Sequence, residues 1–270
     1  MNPFVFACIT PHGSEIIAEL SQQNVALMER TRHSMEHLGA HMRGAKPDTI
    51  ILLTPHGTRV DGQFSIANSE HMYGELAEHG GKVVMDRAVD RELASAMAER
   101  ARAEGLAVGV LNFATSEGPL SCLPLDWGAI VPLYFMPDVP IVVVTPSRHV
   151  SYEAHLRFGA AMAQAVSASG KRVGLIASCD WAHAHDAKGP YGYHEAAAKL
   201  DAQVVELIRT CDLEGMMSFD EQFVNDAKPD GIWQSLILAG AIPRALRDVE
   251  FLSYEVPTYF GLMCAAFFNR

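Results

Sequence analysis

The sequence predicts one α/β domain over residues 1–270, built on a central mixed β-sheet that helices flank on both faces. Candidate strands and helices alternate along the chain. The strands are continuous apolar runs such as "TIILL" at 49–53, and such runs are typical of a sheet covered on both sides. With 49% hydrophobic residues and no linker-like segment, the chain can fill one large core.

The strands are predicted from short apolar runs bounded by Pro, Gly or polar residues. They are residues 3–10, 48–54, 81–85, 106–113, 139–145, 172–178, 249–256 and 259–268. The last two are apolar and aromatic. No repeat of fixed period appears beyond one doubled tetrapeptide.

The helices are predicted from apolar residues at helical spacing and from glycines that end them, such as Gly105 and Gly170. They are residues 21–43, 90–104, 151–169, 195–210 and 231–239. In the first helix, five residues recur at 3-4-3-4 spacing and predict a stripe that faces the core. These are Met28, Thr31, Met35, Leu38 and Met42.

Composition restricts the partners and the compartment. The formal net charge of −11 argues against a nucleic-acid or acidic-membrane surface. No apolar stretch is long enough for a membrane span, and the apolar start lacks the basic residues of a signal peptide. Five scattered cysteines without a C-x-x-C motif suggest a reducing compartment, so we expect a cytoplasmic protein.

The tetrapeptide Thr-Pro-His-Gly occurs twice, at the ends of "ACITPHG" (7–13) and "ILLTPHG" (51–57). Proline ends each strand because it has no N–H to donate, and glycine permits the turn. His12 and His56 therefore lie just past strand ends, where sites of open α/β sheets collect. If the two strands are neighbours, the imidazoles converge. The alternative is that the tetrapeptide only terminates strands.

Two neutral imidazoles suit a metal, and Fe(II) commonly takes two histidines and one carboxylate. Glu255 is the most suggestive carboxylate, because it lies in a long apolar segment where a buried charge needs a partner. The alternative is a glutamate at a solvent-facing strand end. A further stretch, "SCDWAHAHD", places His183 and His185 beyond another strand, where an acid or base could act beside a metal.

"HSMEH" at 33–37 fits the H-x-x-E-H pattern of some zinc peptidases. His33, His37 and His41 form a stripe centred roughly 130° from the core stripe, at 100° per residue. We therefore interpret it as a solvent-facing stripe, whose metal affinity would be incidental.

Taken together, the motifs resemble those of the type III extradiol ring-cleavage dioxygenases, which include the catalytic subunit of protocatechuate 4,5-dioxygenase and the 2-aminophenol 1,6-dioxygenases. The resemblance spans nearly the whole chain in the family's order. Its motifs are "PHG" (11–13), "TPHG" (54–57), "SCDWAHA" (178–184), "AKGPYGYHEAAAKLD" (187–201) and "YEVPTYFGLMCAAF" (254–267).

The resemblance implies a non-haem Fe(II) centre held by His12, His56 and Glu255, with His183 as the acid–base residue. It implies extradiol cleavage of a catecholic or 2-aminophenolic ring with O2 as co-substrate, both atoms of which enter the product. The alternatives are a Zn²⁺-dependent hydrolase with the same ligands and a non-catalytic partner subunit of a dioxygenase. We expect a small aromatic substrate and a homo-oligomer, alone or with a related subunit.

The sequence departs from the family's pattern at Trp127. Many relatives carry Asp-His-Gly before a "VPL" strand, whereas this chain has Asp-Trp-Gly. Indole can donate a hydrogen bond but cannot shuttle protons, so either His183 carries the proton work alone or Trp127 walls the substrate pocket. Tyr191 is a further candidate for the pocket wall, and Arg59 for pairing with a substrate carboxylate. For both, the alternative is an ordinary loop residue.

Overall fold

The computed structural model describes residues 2–22 and 24–270, and two β-sheets organise this part of the chain. The larger sheet has eight strands in the order β10-β11-β1-β9-β2-β8-β3-β6, and the smaller has three in the order β5-β4-β7. The strands are β1 (Phe4–Thr10), β2 (Thr49–Leu53), β3 (Phe64–Ala67), β4 (His71–Glu78), β5 (Gly81–Ala88), β6 (Val108–Leu111), β7 (Cys122–Pro124), β8 (Ile141–Thr145), β9 (Val173–Ser178), β10 (Arg247–Glu255) and β11 (Leu262–Asn269).

Seven α-helices accompany these strands in the described part of the chain. They are α1 (Glu29–Ala45), α2 (Arg91–Ala103), α3 (Trp127–Tyr134), α4 (Tyr152–Ser169), α5 (Ala196–Arg209), α6 (Glu221–Ala227) and α7 (Ile232–Ala241). Side-chain caps fix several of the starts: Asp90 accepts a hydrogen bond from the Leu93 amide, and Ser151 accepts one from the Ala154 amide. Gly170 ends α4 in the left-handed conformation.

Side chains of the central strands alternate between two apolar cores. On β1, Ala7 and Ile9 enter one core while Phe6 and Cys8 enter the other. Helices α2, α4, α5 and α7 cover the first face, and α1 and α3 cover the second. The structure thus confirms an α/β fold in which helices flank both faces of a mixed sheet.

The centre of the sheet positions the site. Strands β1, β9, β2 and β8 are parallel neighbours, so their carboxyl ends meet at one edge. Strand β11 is antiparallel to β1, and β10 is antiparallel to β11, which places the end of β10 at the same edge. The loops that follow these strands carry the candidate site residues.

The sequence-based elements are largely confirmed, with some differences. All five residues of the predicted stripe are buried, four of them on α1 and Met28 just before it. The helix expected over residues 21–43 begins only at Glu29, because short 3₁₀ turns precede it; residue 23 of that range lies outside the described residues. Residues 131–133, the "VPL" that forms a strand in the family's pattern, belong to helix α3. Strands β3, β4 and β7 and helices α3 and α6 were not predicted.

Candidate metal centre

His12 and His56 meet at the carboxyl edge of the large sheet, although their strands are not neighbours. Strand β9 lies between β1 and β2, so the two strands are roughly 10 Å apart. Each imidazole reaches over the end of β9, and the two Nε2 atoms lie 3.2 Å apart. The convergence expected for adjacent strands is thus achieved across an intervening strand.

Asp230 supplies a carboxylate to this pair from the loop before α7. Its Oδ2 lies 3.3 Å from His12 Nε2 and 3.8 Å from His56 Nε2. Metal–ligand bonds of about 2.0–2.2 Å at tetrahedral or octahedral angles separate neighbouring ligand atoms by about 2.8–3.6 Å. The three atoms are therefore spaced almost as a bound ion requires, and their chemistry is the two-histidine, one-carboxylate set of non-haem Fe(II) sites.

The geometry does not support Glu255 as the third ligand, so this expectation is corrected. Glu255 Oε1 instead accepts hydrogen bonds from the amide and hydroxyl of Thr31 on α1, the former at 3.0 Å. The reason is strand alternation: Tyr254 points toward α5, where it hydrogen-bonds Asp201, so the next residue points toward the opposite face. Asp230 approaches the histidines from the α7 side.

Ser178 fixes the tautomer of His12. The Ser178 hydroxyl donates its only proton to the Gly128 carbonyl at 2.6 Å, and His12 Nδ1 lies 2.9 Å from the same hydroxyl oxygen. His12 Nδ1 must therefore be the donor. Gly128 O is free to accept because Pro132, four residues later in α3, has no N–H to give it. In the neutral ring, Nε2 then carries the lone pair that a metal needs.

Two buried carboxylates make the site favourable for a cation. Burial opposes protonation of His12, but Asp180 and Asp230 outweigh it and raise the pKa of His12 to about 9. Burial and the nearby His12 lower the pKa of His56 to about 4. Burial also raises the pKa of Asp180, whereas His12 holds the pKa of Asp230 low despite its burial. A metal cation would replace the positive charge that protonated His12 otherwise provides.

His183, the predicted acid–base residue, lines the same cavity as His56 and Asp230. The cavity has a volume of about 960 Å³, enough for a small aromatic molecule. His183 Nδ1 donates to the Lys228 carbonyl at 2.8 Å, and its ring stacks on Phe260 at 5.5 Å between centroids. One ring nitrogen is thus occupied, which leaves Nε2 to exchange a proton.

Two of the three predicted substrate-binding residues line this cavity, and the third packs beside it against His56. Arg59 and Tyr191 line it, and the Tyr191 ring lies edge-on to His183 at 5.5 Å between centroids. Trp127 packs its ring 4.2 Å from that of His56 and lies outside the set of residues that line the cavity. Their roles toward a substrate stay predictions.

Sequence reasoning did not assign roles to Asp230, Asp180 or Arg148. Asp230 lies two residues before α7, next to its N-cap Gly231, and an aspartate so close to a helix start is ordinarily explained by helix capping. Asp180 lies inside the recognised "SCDWAHA" motif, and its Oδ1 accepts the His12 amide at 2.9 Å. Arg148 follows β8, the fourth strand whose carboxyl end meets this edge. Its position after a strand end is the sequence signal that could have marked it as a candidate site residue.

A buried network holds the loop that carries His183. The fully buried Asp201 accepts hydrogen bonds from the Ala182 amide at 2.9 Å, His185 Nε2 at 2.9 Å and the Tyr254 hydroxyl at 2.7 Å. These partners lie on both sides of His183 in sequence and on β10. His185 is therefore an anchor of this loop and lies outside the candidate ligand set.

Comparisons with known proteins agree with this architecture. Residues 6–268 match the family described as the catalytic LigB subunit of aromatic ring-opening dioxygenase. Protein CA_C1420 of Clostridium acetobutylicum is 29% identical over 253 residues, which are 92% of this chain and 54% of that protein. The chain thus spans about half the length of this curated relative.

A solved structure shows the same fold. The crystal structure of the uncharacterized protein JW3007 from Escherichia coli K12 covers 98% of this chain and 99% of its own, with a TM-score of 0.61 and 15% identity.

Among the described residues, no helix combines the length and apolarity needed to cross a membrane.

Proposed function

Because the chain belongs to the family of the catalytic LigB subunit of aromatic ring-opening dioxygenase, we propose that it cleaves the ring of a catecholic or 2-aminophenolic substrate with Fe(II) and O2. Cleavage is extradiol, beside the two substituted ring carbons. One ring C–C bond breaks and both atoms of O2 enter the product, so the reaction needs no external reductant.

The observation that carries this proposal is the convergence of His12, His56 and Asp230 beside a cavity of about 960 Å³. These residues would hold Fe(II) and leave the remaining positions for ligands. Bound there, the metal would supply adjacent sites for the two substrate heteroatoms and O2 and mediate electron flow between them.

His183 is the residue that moves protons in this proposal. Its Nδ1–H is committed to the Lys228 carbonyl, so Nε2 of the neutral ring is a base. It accepts a proton from the substrate hydroxyl or amine and returns one as the ring opens. Stacking on Phe260 fixes the ring plane, which keeps Nε2 directed for this transfer.

The cavity wall favours a substrate with an anionic substituent. Three cationic residues, Arg59, Arg148 and Lys228, line it against two acidic ones, Glu221 and Asp230. Arg148 lies over the Trp233 ring at 4.6 Å. Burial and repulsion from Arg59 lower the pKa of Arg148, although Asp230 offsets part of this effect. A carboxylate on the ring would neutralise these guanidinium groups and hold the ring within the cavity.

Oxygen consumption and iron content test the ring-cleavage function. The protein, loaded anaerobically with Fe(II), should consume O2 with a panel of catechols and 2-aminophenols and release yellow ring-opened products. His183→Ala should retain iron and lose most turnover. Hydrolysis supported by Zn²⁺ without O2 uptake would favour the hydrolase alternative. Inactivity of the iron-loaded chain alone with every such substrate would contradict the proposal and favour a partner-subunit role.

The anion preference has its own test. Arg148→Met should raise the KM for a carboxylated catechol by about 10- to 100-fold, as loss of a charge-assisted contact predicts, and leave KM for unsubstituted catechol nearly unchanged. Arg30→Met, on the exposed surface of α1, is the control. Equal KM changes for the two substrates in Arg148→Met would refute the anion subsite while leaving ring cleavage intact.

A further inference from the structure

A second cluster of metal-ligating side chains lies away from the carboxyl edge, on the outer surface of α1, where the sequence predicted a solvent-facing histidine stripe with only incidental metal affinity. His37 Nε2 lies 3.0 Å from His41 Nε2 and 3.7 Å from Glu250 Oε1. The three ligand atoms all lie within 4.8 Å of one another. The cluster shares no residue with the centre formed by His12, His56 and Asp230.

The local structure explains why these three residues meet. His37 and His41 are four residues apart, so they share one face of the helix. Glu250 lies on β10, the edge strand that α1 contacts together with β11 and β1. The His41 ring stacks on Phe6 at 5.7 Å and meets Phe268 edge-on at 5.3 Å, which limits its rotation.

We propose that His37, His41 and Glu250 form a second metal site, which takes a borderline divalent cation such as Zn²⁺. Zinc is commonly held by two imidazoles and a carboxylate with water in the fourth position. The ligand separations of 3.0 and 3.7 Å bracket those of a tetrahedral ion. A cavity of about 450 Å³ beside the two histidines leaves room for the water ligand.

The site would be structural, because it links a helix to the exposed edge of the sheet. Thr31 and Glu255 already join the beginning of α1 to the end of β10. A metal between the histidines and Glu250 would join the same two elements a second time, further along α1 and nearer the start of β10. Binding to the folded state alone would raise thermal stability with cation concentration.

Zinc stoichiometry tests the site without any measurement of activity. The chelator-stripped full chain would be dialysed against Zn²⁺ and its metal content counted, alongside His37→Asn and Glu250→Gln. The parent should bind one Zn²⁺ more than His37→Asn, and Glu250→Gln should bind this ion about 10-fold more weakly than the parent. Zinc should also raise the Tm of the parent more than that of His37→Asn.

His33→Asn is the matched control, because His33 lies on the same helix with its side chain 87% exposed and outside the cluster. It should bind as much zinc as the parent. Equal stoichiometry and affinity in the parent and His37→Asn, or an equal loss in His33→Asn, would overturn the proposal. The comparison is a difference between variants, so it is independent of how much zinc the His12 centre takes.

Discussion

The role of Ser178 gives a sharp prediction, because its hydroxyl connects α3 to the metal centre. Ser178→Ala removes the donor to Gly128 O at 2.6 Å and the acceptor for His12 Nδ1 at 2.9 Å. His12 can then adopt the tautomer that protonates Nε2, the atom a metal requires. Outer-shell partners of this kind are worth about 10- to 100-fold in metal affinity, or about 1.4–2.7 kcal/mol.

A competition titration with a chromogenic chelator would measure this loss. Ser235→Ala is the matched control, because Ser235 is equally buried and lies on α7 with its hydroxyl near Cys179. We expect the affinity for Fe(II) or Zn²⁺ to fall by about 10- to 100-fold in Ser178→Ala and to stay within about threefold of the parent in the control. Equal affinity of both variants and the parent would refute the tautomer argument.

Three further predictions concern the supports of the site and the core. Asp201→Ala should cost about 3–5 kcal/mol in urea unfolding, because one buried and two part-buried donors lose their buried acceptor, and should lower turnover by loosening the loop of His183. Gly128→Ala should weaken metal binding about 10-fold, because its Cβ would lie 2.9 Å from the His56 ring. His155→Leu should remove a pH dependence of stability, because burial lowers the pKa of His155 from 6.5 to about 4. Between these values only the unfolded state binds the proton, so the free energy of unfolding of the parent falls by up to about 3 kcal/mol as pH drops from 6.5 to 4.

Each of these predictions has a clear contrary outcome. An Asp201→Ala midpoint equal to that of Glu206→Ala, an exposed change on the same helix, would remove Asp201 from the loop anchor. Unchanged metal affinity in Gly128→Ala would show that α3 can shift away from His56. If the parent and His155→Leu lose stability in parallel between pH 6.5 and 4, His155 is not the group that titrates.

The sequence was sufficient to predict the α/β architecture, because local residue patterns determine where most of its strands and helices lie. Buried runs such as β2 and the stripe on α1 follow from apolar periodicity, and proline and glycine mark where each Thr-Pro-His-Gly strand stops. The convergence of His12 and His56 could be predicted only on the condition that their strands are neighbours. The intervening β9 could not, because strand order depends on long-range packing.

The prediction of Glu255 as the third metal ligand was wrong, and the reason is physical. Glu255 is isolated among apolar residues, which indicates a buried partner, and the structure does give it one: Thr31. Sequence does not reveal which face of the strand Glu255 occupies. Asp230 lacks any local signal beyond its position before a helix, and only the packing of α7 brings it to the histidines. The expected homo-oligomer stays a prediction.

The most direct test of the account is the anaerobic Fe(II) affinity of two isosteric variants, Asp230→Asn and Glu255→Gln. Each change removes one carboxylate charge and keeps the side-chain shape. If Asp230 completes the centre with His12 and His56, Asp230→Asn should bind Fe(II) at least about 100-fold more weakly than the parent, which exceeds the usual effect of losing a residue that only supports a ligand. Glu255→Gln should bind Fe(II) within about threefold of the parent. Loss of iron in Glu255→Gln with retention in Asp230→Asn would contradict the assignment.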